Sequence, residues 1–444
     1  MKSLASSADL TIAMVFVGIA AILIAGTALG QLIRRFRQPA VIGEIGAGII
    51  LGPSVLGLLP GDLTHKLFPA NARPMLSAIA QVGLMLFMFM IGWEFEKSLL
   101  RERRAAAAAI SLNSVAVAFG LGAALGLLLY SRHDQAGGHH IRMLAFCLFL
   151  GAAMSITAFP VLARIITDNR IMHTRVASLA LASAAIDDVL AWCLLATVSA
   201  IVTARNLSDL LQIAALAAVY VMVMFMVVRP ALEVLVRRLA REGRDGVAPY
   251  LLAILVAGVF LSAYCTTWIG IHAIFGAFLF GFVMPREPAE VLATELRRPL
   301  DSISVVLLPV FFIVTGLSVN IGALSARNYL ELAAILVVAC AGKLLGALLP
   351  ARAFGIPGRE AWALGLLMNT RGLTELIILN AGLTLGVLDQ PMFTMMVLMG
   401  LITTAAAGPL LPRELGRAEP AGEVRSGRRP GVEPAGAAVS DPAR

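Results

Sequence analysis

Charge is scarce in this chain. Only 14% of its 444 residues are Asp, Glu, Lys or Arg, whereas 59% are hydrophobic and the mean hydropathy is +0.87. Soluble domains carry roughly 25% charged and 45–50% apolar residues. The apolar excess runs along nearly the whole length, which excludes one soluble core and reads as a polytopic membrane protein embedded in the lipid bilayer. Cysteine is scarce too. Cys147, Cys193, Cys265 and Cys340 all lie inside apolar runs, at spacings that fit neither a zinc site nor a disulfide framework, so they read as small packing residues. No small-residue cleavage signature follows the first apolar run, which is therefore expected to be retained as a span. The net charge of +8 is no nucleic-acid footprint, because the basic residues sit in short clusters between apolar runs. Neither a nucleic-acid partner nor a cofactor is expected.

What the chain does have is a series of apolar runs, near 10–32, 39–59, 75–95, 105–130, 142–166, 176–203, 208–232, 248–266, 269–284, 302–320, 329–351, 360–382 and 391–411. They predict an all-α protein of about thirteen transmembrane helices. The eighth and ninth are separated only by "TTWIGIH", and twelve results if they merge. Alternate loops such as "RRFR", "EKSLLRERR" and "EVLVRRLAREGR" are basic, while "SRHDQAGGHH", "ARNLSD" and "GVLDQP" are nearly bare. The Lys/Arg imbalance, roughly four to one, assigns the basic set to the cytoplasm of a plasma (inner) membrane protein. The N-terminus is then outside and the C-terminus inside, and the alternation holds only with thirteen spans. Residues 1–412 form the transmembrane domain. Residues 413–444, rich in Pro, Gly, Ala and charge, are expected to be a disordered cytoplasmic tail.

Polar residues inside the spans carry the functional signal. Asp187 and Asp188 in "SAAIDDVLAW" lie about twelve residues into the sixth span, ~18 Å from its cytoplasmic end. A charge at that depth costs several kcal/mol. Adjacent residues on a helix point about 100° apart, so each acid needs its own partner. Lys343 in "ACAGKLLGALLP" is a candidate partner for one of them, with Ala341, Gly342 and Gly346 as small neighbours that permit close helix approach; the competing reading is a snorkelling lysine.

Two spans are interrupted. The fifth holds Ser155, Thr157 and Pro160; the twelfth holds Asn369, Thr370, Arg371, Gly372, Thr374 and Glu375. Seven spans apart, they run antiparallel. Interrupted helices in opposite orientation point to an inverted-repeat transporter site, with plain kinks as the alternative. Arg371 and Glu375, one turn apart, either offset half-helix dipoles or pair with each other. Glu44 reads as lining an access funnel or as pairing with an arginine of the preceding loop. His272, Trp192 and Trp93 read as structural.

Together, "RQPAVIGEIGAGIILGPSVLG", "SITAFPVLARI", "AAIDDVLAW", "GIHAIFGAFLFGFVMP", "LPVFFIVTGLSVN", "GKLLG" and "NTRGLTELIILNAG" resemble the monovalent cation:proton antiporter-2 family, of the sodium/hydrogen exchanger fold. The nearest branch is the cation/proton exchangers of plants and bacteria. The resemblance covers roughly residues 10–411. It implies an inverted-repeat bundle with core and dimerisation domains, a homodimer, and an ion site where the two broken helices cross. It implies no enzyme but a secondary transporter of Na⁺ or K⁺ against protons, with alternating access. Asp188 is then the acid where cation and proton compete, Asp187 the ion-pair partner of Lys343, and Thr157 with backbone carbonyls the rest of the shell. Many relatives of that branch carry Asn, and potassium-efflux relatives Gln, where this chain has Asp187. The double acid is similar to that of electrogenic antiporters of the same fold. If Asp187 and Lys343 also exchange protons, two protons move per cation.

Three rivals are weaker. No repeated carbonyl-filter loop supports a channel. Adjacent acids on one helix cannot share a proton as in an intramembrane aspartyl protease. An organic-anion symporter of similar fold wants a larger polar cavity.

Overall fold

An apolar run in lipid must satisfy its backbone polar groups internally, and a helix does so within one segment. The computed structural model accordingly places almost every apolar run in a helix; it describes residues 7–36, 38–94, 104–172, 174–204, 206–242, 247–285 and 297–412. The expected disordered tail lies outside the described residues, as does nearly all of the basic loop "EKSLLRERR".

Apart from one short helix, Leu63–Leu67, the helices in chain order are α1 (Ser7–Arg35), α2 (Ala40–Leu51), α3 (Arg73–Glu94), α4 (Arg104–Leu129), α5 (Met143–Ser155), α6 (Phe159–Asp168), α7 (Arg175–Thr203) and α8 (Leu207–Val223). A π-helical turn, Met224–Val228, joins α8 to α9 (Arg229–Glu242). Then come α10 (Val247–Ile269), α11 (Ala273–Val283), α12 (Arg298–Leu317), α13 (Ala326–Ala353), α14 (Gly358–Met368), α15 (Leu373–Thr384) and α16 (Gln390–Leu410). Side-chain caps mark several starts. Thr174, Asn206 and Asp389 accept from the amides of Ala177, Asp209 and Met392, and Ser325 forms a capping box with Asn328, each satisfying a first-turn donor that the helix itself cannot. Among the described residues the β-structure is a two-residue hairpin, Gln135–Ala136 with His139–His140, turned by Gly137 and Gly138 at positive φ.

Among the described residues ten helices are long and apolar enough to cross a membrane, and three shorter apolar ones, α5, α11 and α15, accompany them. The eighth and ninth runs do not merge. Gly270, at φ +102°, turns the chain between α10 and α11, and the two fold back so closely that a Cβ on Gly276 would stand 2.3 Å from the carbonyl of Ser262. His272 caps the start of α11 through the amide of Ile274, a structural role as expected.

The helices sort into two bundles. Extensive packing links α1, α2, α3 and α8–α12 with one another, and α4–α7 with α13–α16; between the two groups the chain neighbours α7 and α8 pack lightly. The second group contains both acids, the lysine and both broken helices, and is called the site bundle below. Trp192 of α7 packs on Phe278 of α11, ring centroids 6.0 Å apart, across the seam.

Candidate ion-binding site

The fifth and twelfth runs are both broken at mid-length. After α5 the chain is extended through Ile156–Ala158 and resumes as α6, with Pro160 in its first turn, where a missing amide proton is harmless. After α14, Asn369–Gly372 leave the helix before α15 begins. The two breaks lie against each other. The amide of Ala158 donates to the carbonyl of Thr370 at 3.0 Å. The Thr157 hydroxyl reaches the carbonyl of Met368 at 2.8 Å. Gly372 permits this approach, since a Cβ there would lie 2.6 Å from Val161 Cγ2. Peptide groups freed by the two interruptions thus partner one another instead of facing lipid.

α7 carries the two acids past this crossing, and their surroundings differ. Asp187, 1% exposed, is saturated with donors. Lys343 Nζ of α13 stands 2.9 Å from Oδ2, the Thr157 hydroxyl 2.7 Å from the same oxygen, and the Ser111 hydroxyl of α4 2.5 Å from Oδ1. The single Thr157 proton serves either Asp187 or the Met368 carbonyl. Lys343 also donates to Ser114 Oγ at 3.3 Å. Its ammonium stays in the protein interior and does not snorkel. The small residues beside it do permit a close approach, but towards α4: a Cβ on Gly346 would lie 2.7 Å from Ser114 Cα, and one on Gly342 2.9 Å from Ala118 Cα. Helix α4 is therefore the third wall of the site. Ser111, Asn113 and Ser114, a polar patch in the run "AAAAAISLNSVAVAFG", are the signal that locates it.

Asp188, 6% exposed, is held more loosely. The Thr374 hydroxyl of α15 is 3.4 Å from its Oδ1, and the amide of Phe159 at the start of α6 faces it. The acid therefore sits between the two half-helix N-termini, α6 and α15, whose free amides favour a negative charge. Thr157, expected beside Asp188, is bonded to Asp187; Thr374 is the hydroxyl that reaches Asp188.

The remaining polar residues of the breaks have separate tasks. Arg371, fully buried, donates from Nη1 to the carbonyl of Ala153 at 3.2 Å and from Nη2 to that of Met154 at 2.9 Å, so it caps the C-terminal end of α5 and offsets its dipole. Its Nη1 also lies 3.5 Å from Glu375 Oε1, so both readings of this pair have a structural counterpart. Thr404 of α16 accepts from the Arg371 amide at 2.9 Å and donates to its carbonyl at 2.7 Å. Ser155 and Thr370 bond to carbonyls of their own last turns, Ala152 and Leu367. Asn369 donates to Cys340 Sγ at 3.4 Å. Glu44 stands apart from the crossing, half-buried against Gly26 and Gly30 of α1.

A second network lies beyond the end of α4. The imidazole of His133 is within 2.7 Å of Asp389 Oδ2 through Nδ1 and 3.2 Å of Glu331 Oε2 through Nε2, and Arg132 pairs with Glu331 at 2.6 Å. Burial alone lowers the affinity of His133 for a proton, but the two carboxylates outweigh it and leave the pKa above 6.5. Nothing in the sequence spacing announces this cluster, whose members are 198 and 256 positions from His133.

Comparison with known proteins places this arrangement in context. Residues 19–415 match the profile of the sodium/hydrogen exchanger transmembrane family. The Na(+)/H(+) antiporter NhaS4 of Synechocystis is 41% identical over 405 residues, 90% of this chain and 97% of that protein. Cation/H(+) antiporter 15 of Arabidopsis thaliana is 36% identical, and K(+)/H(+) antiporter 1 of Saccharomyces cerevisiae 33%; each is matched along 86% and 84% of this chain. The chain spans less than half of those two proteins, 45% and 43%. The sodium proton antiporter MjNhaP1 of Methanocaldococcus jannaschii superposes with a TM-score of 0.63 over 92% of this chain and 99% of its own, at 14% identity, a likeness of fold.

Proposed function

The chain belongs to the sodium/hydrogen exchanger family, and from that premise we propose that it exchanges a monovalent cation for a proton at Asp188. The observation that carries this reading is the unequal state of the two adjacent acids. Asp187 has three side-chain donors, one of them a buried ammonium, so its oxygens are already engaged and it keeps α4, α7 and α13 together. Asp188 has one long hydroxyl contact and the amide of Phe159, which leaves lone pairs free for a dehydrated cation or a proton. A cation and a proton that need the same oxygens cannot bind together, and this exclusion couples the two fluxes without covalent chemistry.

The division into two bundles supports alternating access by movement of the site bundle along α1–α3 and α8–α12. Thr374 and the carbonyls at the crossing supply the further oxygens of the cation shell. Among the relatives are antiporters named for Na⁺ and for K⁺, and either ion fits a site of one carboxylate and neutral oxygens. Thirteen crossings, with α5–α6 and α14–α15 each making one, an N-terminus outside and a C-terminus inside the plasma membrane belong to the same reading, as does a homodimer, which the antiporter-2 resemblance supports.

The test is proton flux in proteoliposomes with Na⁺, K⁺ and Li⁺ added in turn. The wild-type protein should release an imposed proton gradient in a saturable manner with at least one of them, and Asp188→Asn should not, although it inserts and folds normally. Cation-driven proton flux in the purified Asp188→Asn protein would remove Asp188 from the site.

A further inference from the structure

Glu375 has no task in the exchange at Asp188, yet its surroundings are built for a titrating group. It lies in the first turn of α15, 1% exposed. Its Oε1 touches Arg371 only at 3.5 Å, because that guanidinium is anchored to the carbonyls of Ala153 and Met154. Among the described residues its Oε2 has no hydrogen-bond partner, and neither has Arg371 Nε. Arg371 and Glu375 border a cavity of about 10 Å³ whose far wall is Val41, Ile42 and Ile45 of α2. That volume admits a single water. Gly400 keeps it open, since a Cβ there would come within 3.0 Å of Oε2.

Two physical points follow. An ionised carboxylate with one bare oxygen against an apolar wall is costly, whereas a protonated one satisfies its new O–H with one water. The wall is also on the other bundle: α2 packs with α1 and α12, and α15 with α5 and α16. The cavity is therefore on the seam that alternating access has to open.

Resting on the antiport reading above, we propose that Glu375 is a second proton-carrying group of the exchange, loaded while α2 covers it and unloaded when the site bundle moves away. Once water enters the seam, the carboxylate left behind is stabilised by Arg371, whose Nε is free to turn to it. The charges that act on Glu375 are Arg371 on its own segment and Lys343 from α13. Among the residues lining the cavity, α16 contributes only Met396, Gly400, Leu401 and Thr404, and Glu44 of α2 lies against α1.

The experiment compares wild type, Glu375→Gln and Glu375→Asp in proteoliposomes, measuring the potential at which net flux vanishes under fixed cation and proton gradients. This gives protons moved per cation. Glu375→Gln, which mimics the protonated form, should move one proton fewer per cation than wild type, and Glu375→Asp should restore the wild-type ratio. Equal ratios in wild type and Glu375→Gln overturn the proposal. Should Glu375→Gln not transport, infrared difference spectra of wild type against that variant decide. A protonated-carboxyl band that saturating cation removes supports the proposal, and no such band, or one that cation leaves unchanged, overturns it. Wild-type protein with no cation-dependent proton movement would remove the antiport reading itself, a result distinct from equal ratios.

Discussion

Lys343 Nζ lies 2.9 Å from Asp187 Oδ2, and neither side chain is exposed at all. Two charges taken out of water together are tolerated because each solvates the other, and Ser111, Ser114 and Thr157 complete their shells. The pair joins α7 to α13 in the interior of the site bundle.

Removal of either partner leaves the other buried and unpaired. Asp187→Asn and Lys343→Ala should each destabilise the protein by about 3–5 kcal/mol. The double variant should recover much of that loss, which a double-mutant cycle of thermal melts in detergent would measure. Simple additivity would mean that the two charges are not energetically coupled.

The two hydroxyls at the crossing should separate by their effects. Thr157 holds the crossing through Asp187 and the Met368 carbonyl, so Thr157→Val should lower thermal stability by about 1–3 kcal/mol, as expected when buried acceptors lose a donor. Thr374 hydrogen-bonds to Asp188. Thr374→Val should leave the melting temperature nearly unchanged and raise the KM for the cation by roughly tenfold, the effect of one hydrogen-bond-sized contribution of about 1.4 kcal/mol. The reverse pattern would assign Thr157 to the cation shell.

Gly372 is placed by sterics alone. Its backbone, at φ 166°, is open to any residue, but a Cβ would press on Val161 Cγ2 at 2.6 Å, and a β-branched neighbour has little rotamer freedom to yield. Gly372→Ala should push the broken helices apart and reduce transport sharply. Val161→Ala in the same chain should restore it, and failure of that rescue would show that the glycine acts through something other than this contact.

Membrane spans are legible because lipid imposes a single requirement on every residue of a long run, and the ten long helices fall where the apolar runs lie. The acids, Lys343 and the two broken helices are legible because polar groups in such runs are expensive. Their pairing is less so. Spacing gives depth and facing but not which of two adjacent acids receives the lysine, nor that Thr157 turns to Asp187 while Thr374 turns to Asp188. Ser111 and Ser114 were visible as polar residues in an alanine-rich run, yet serine is cheap enough inside a helix to pass unnoticed. The His133 cluster joins a loop to the starts of two distant helices and leaves no periodic trace.

That cluster gives the last prediction, and it concerns pH. His133 is 2% exposed, wedged between Asp389 at the start of α16 and Glu331 near the start of α13, so its protonated form ties three segments of the site bundle together. Arg132 also faces Glu331, and Asn328 donates to it at 3.0 Å, so Glu331 keeps partners when His133 is neutral, whereas Asp389 loses its charged one. Because the folded-state pKa of His133 is raised above 6.5, the histidinium contributes stability that is fully present below that value and is lost as pH rises through the folded-state pKa. His133→Gln, which cannot be charged, should remove this dependence. Thermal melts of the detergent-solubilised protein from mildly acidic to alkaline pH should show wild type more stable than the variant at the acidic end, with the gap closing as pH rises. A gap that stays constant across the range would mean that His133 acts by packing on Phe146, whose ring stacks 6.4 Å away, and not by its charge.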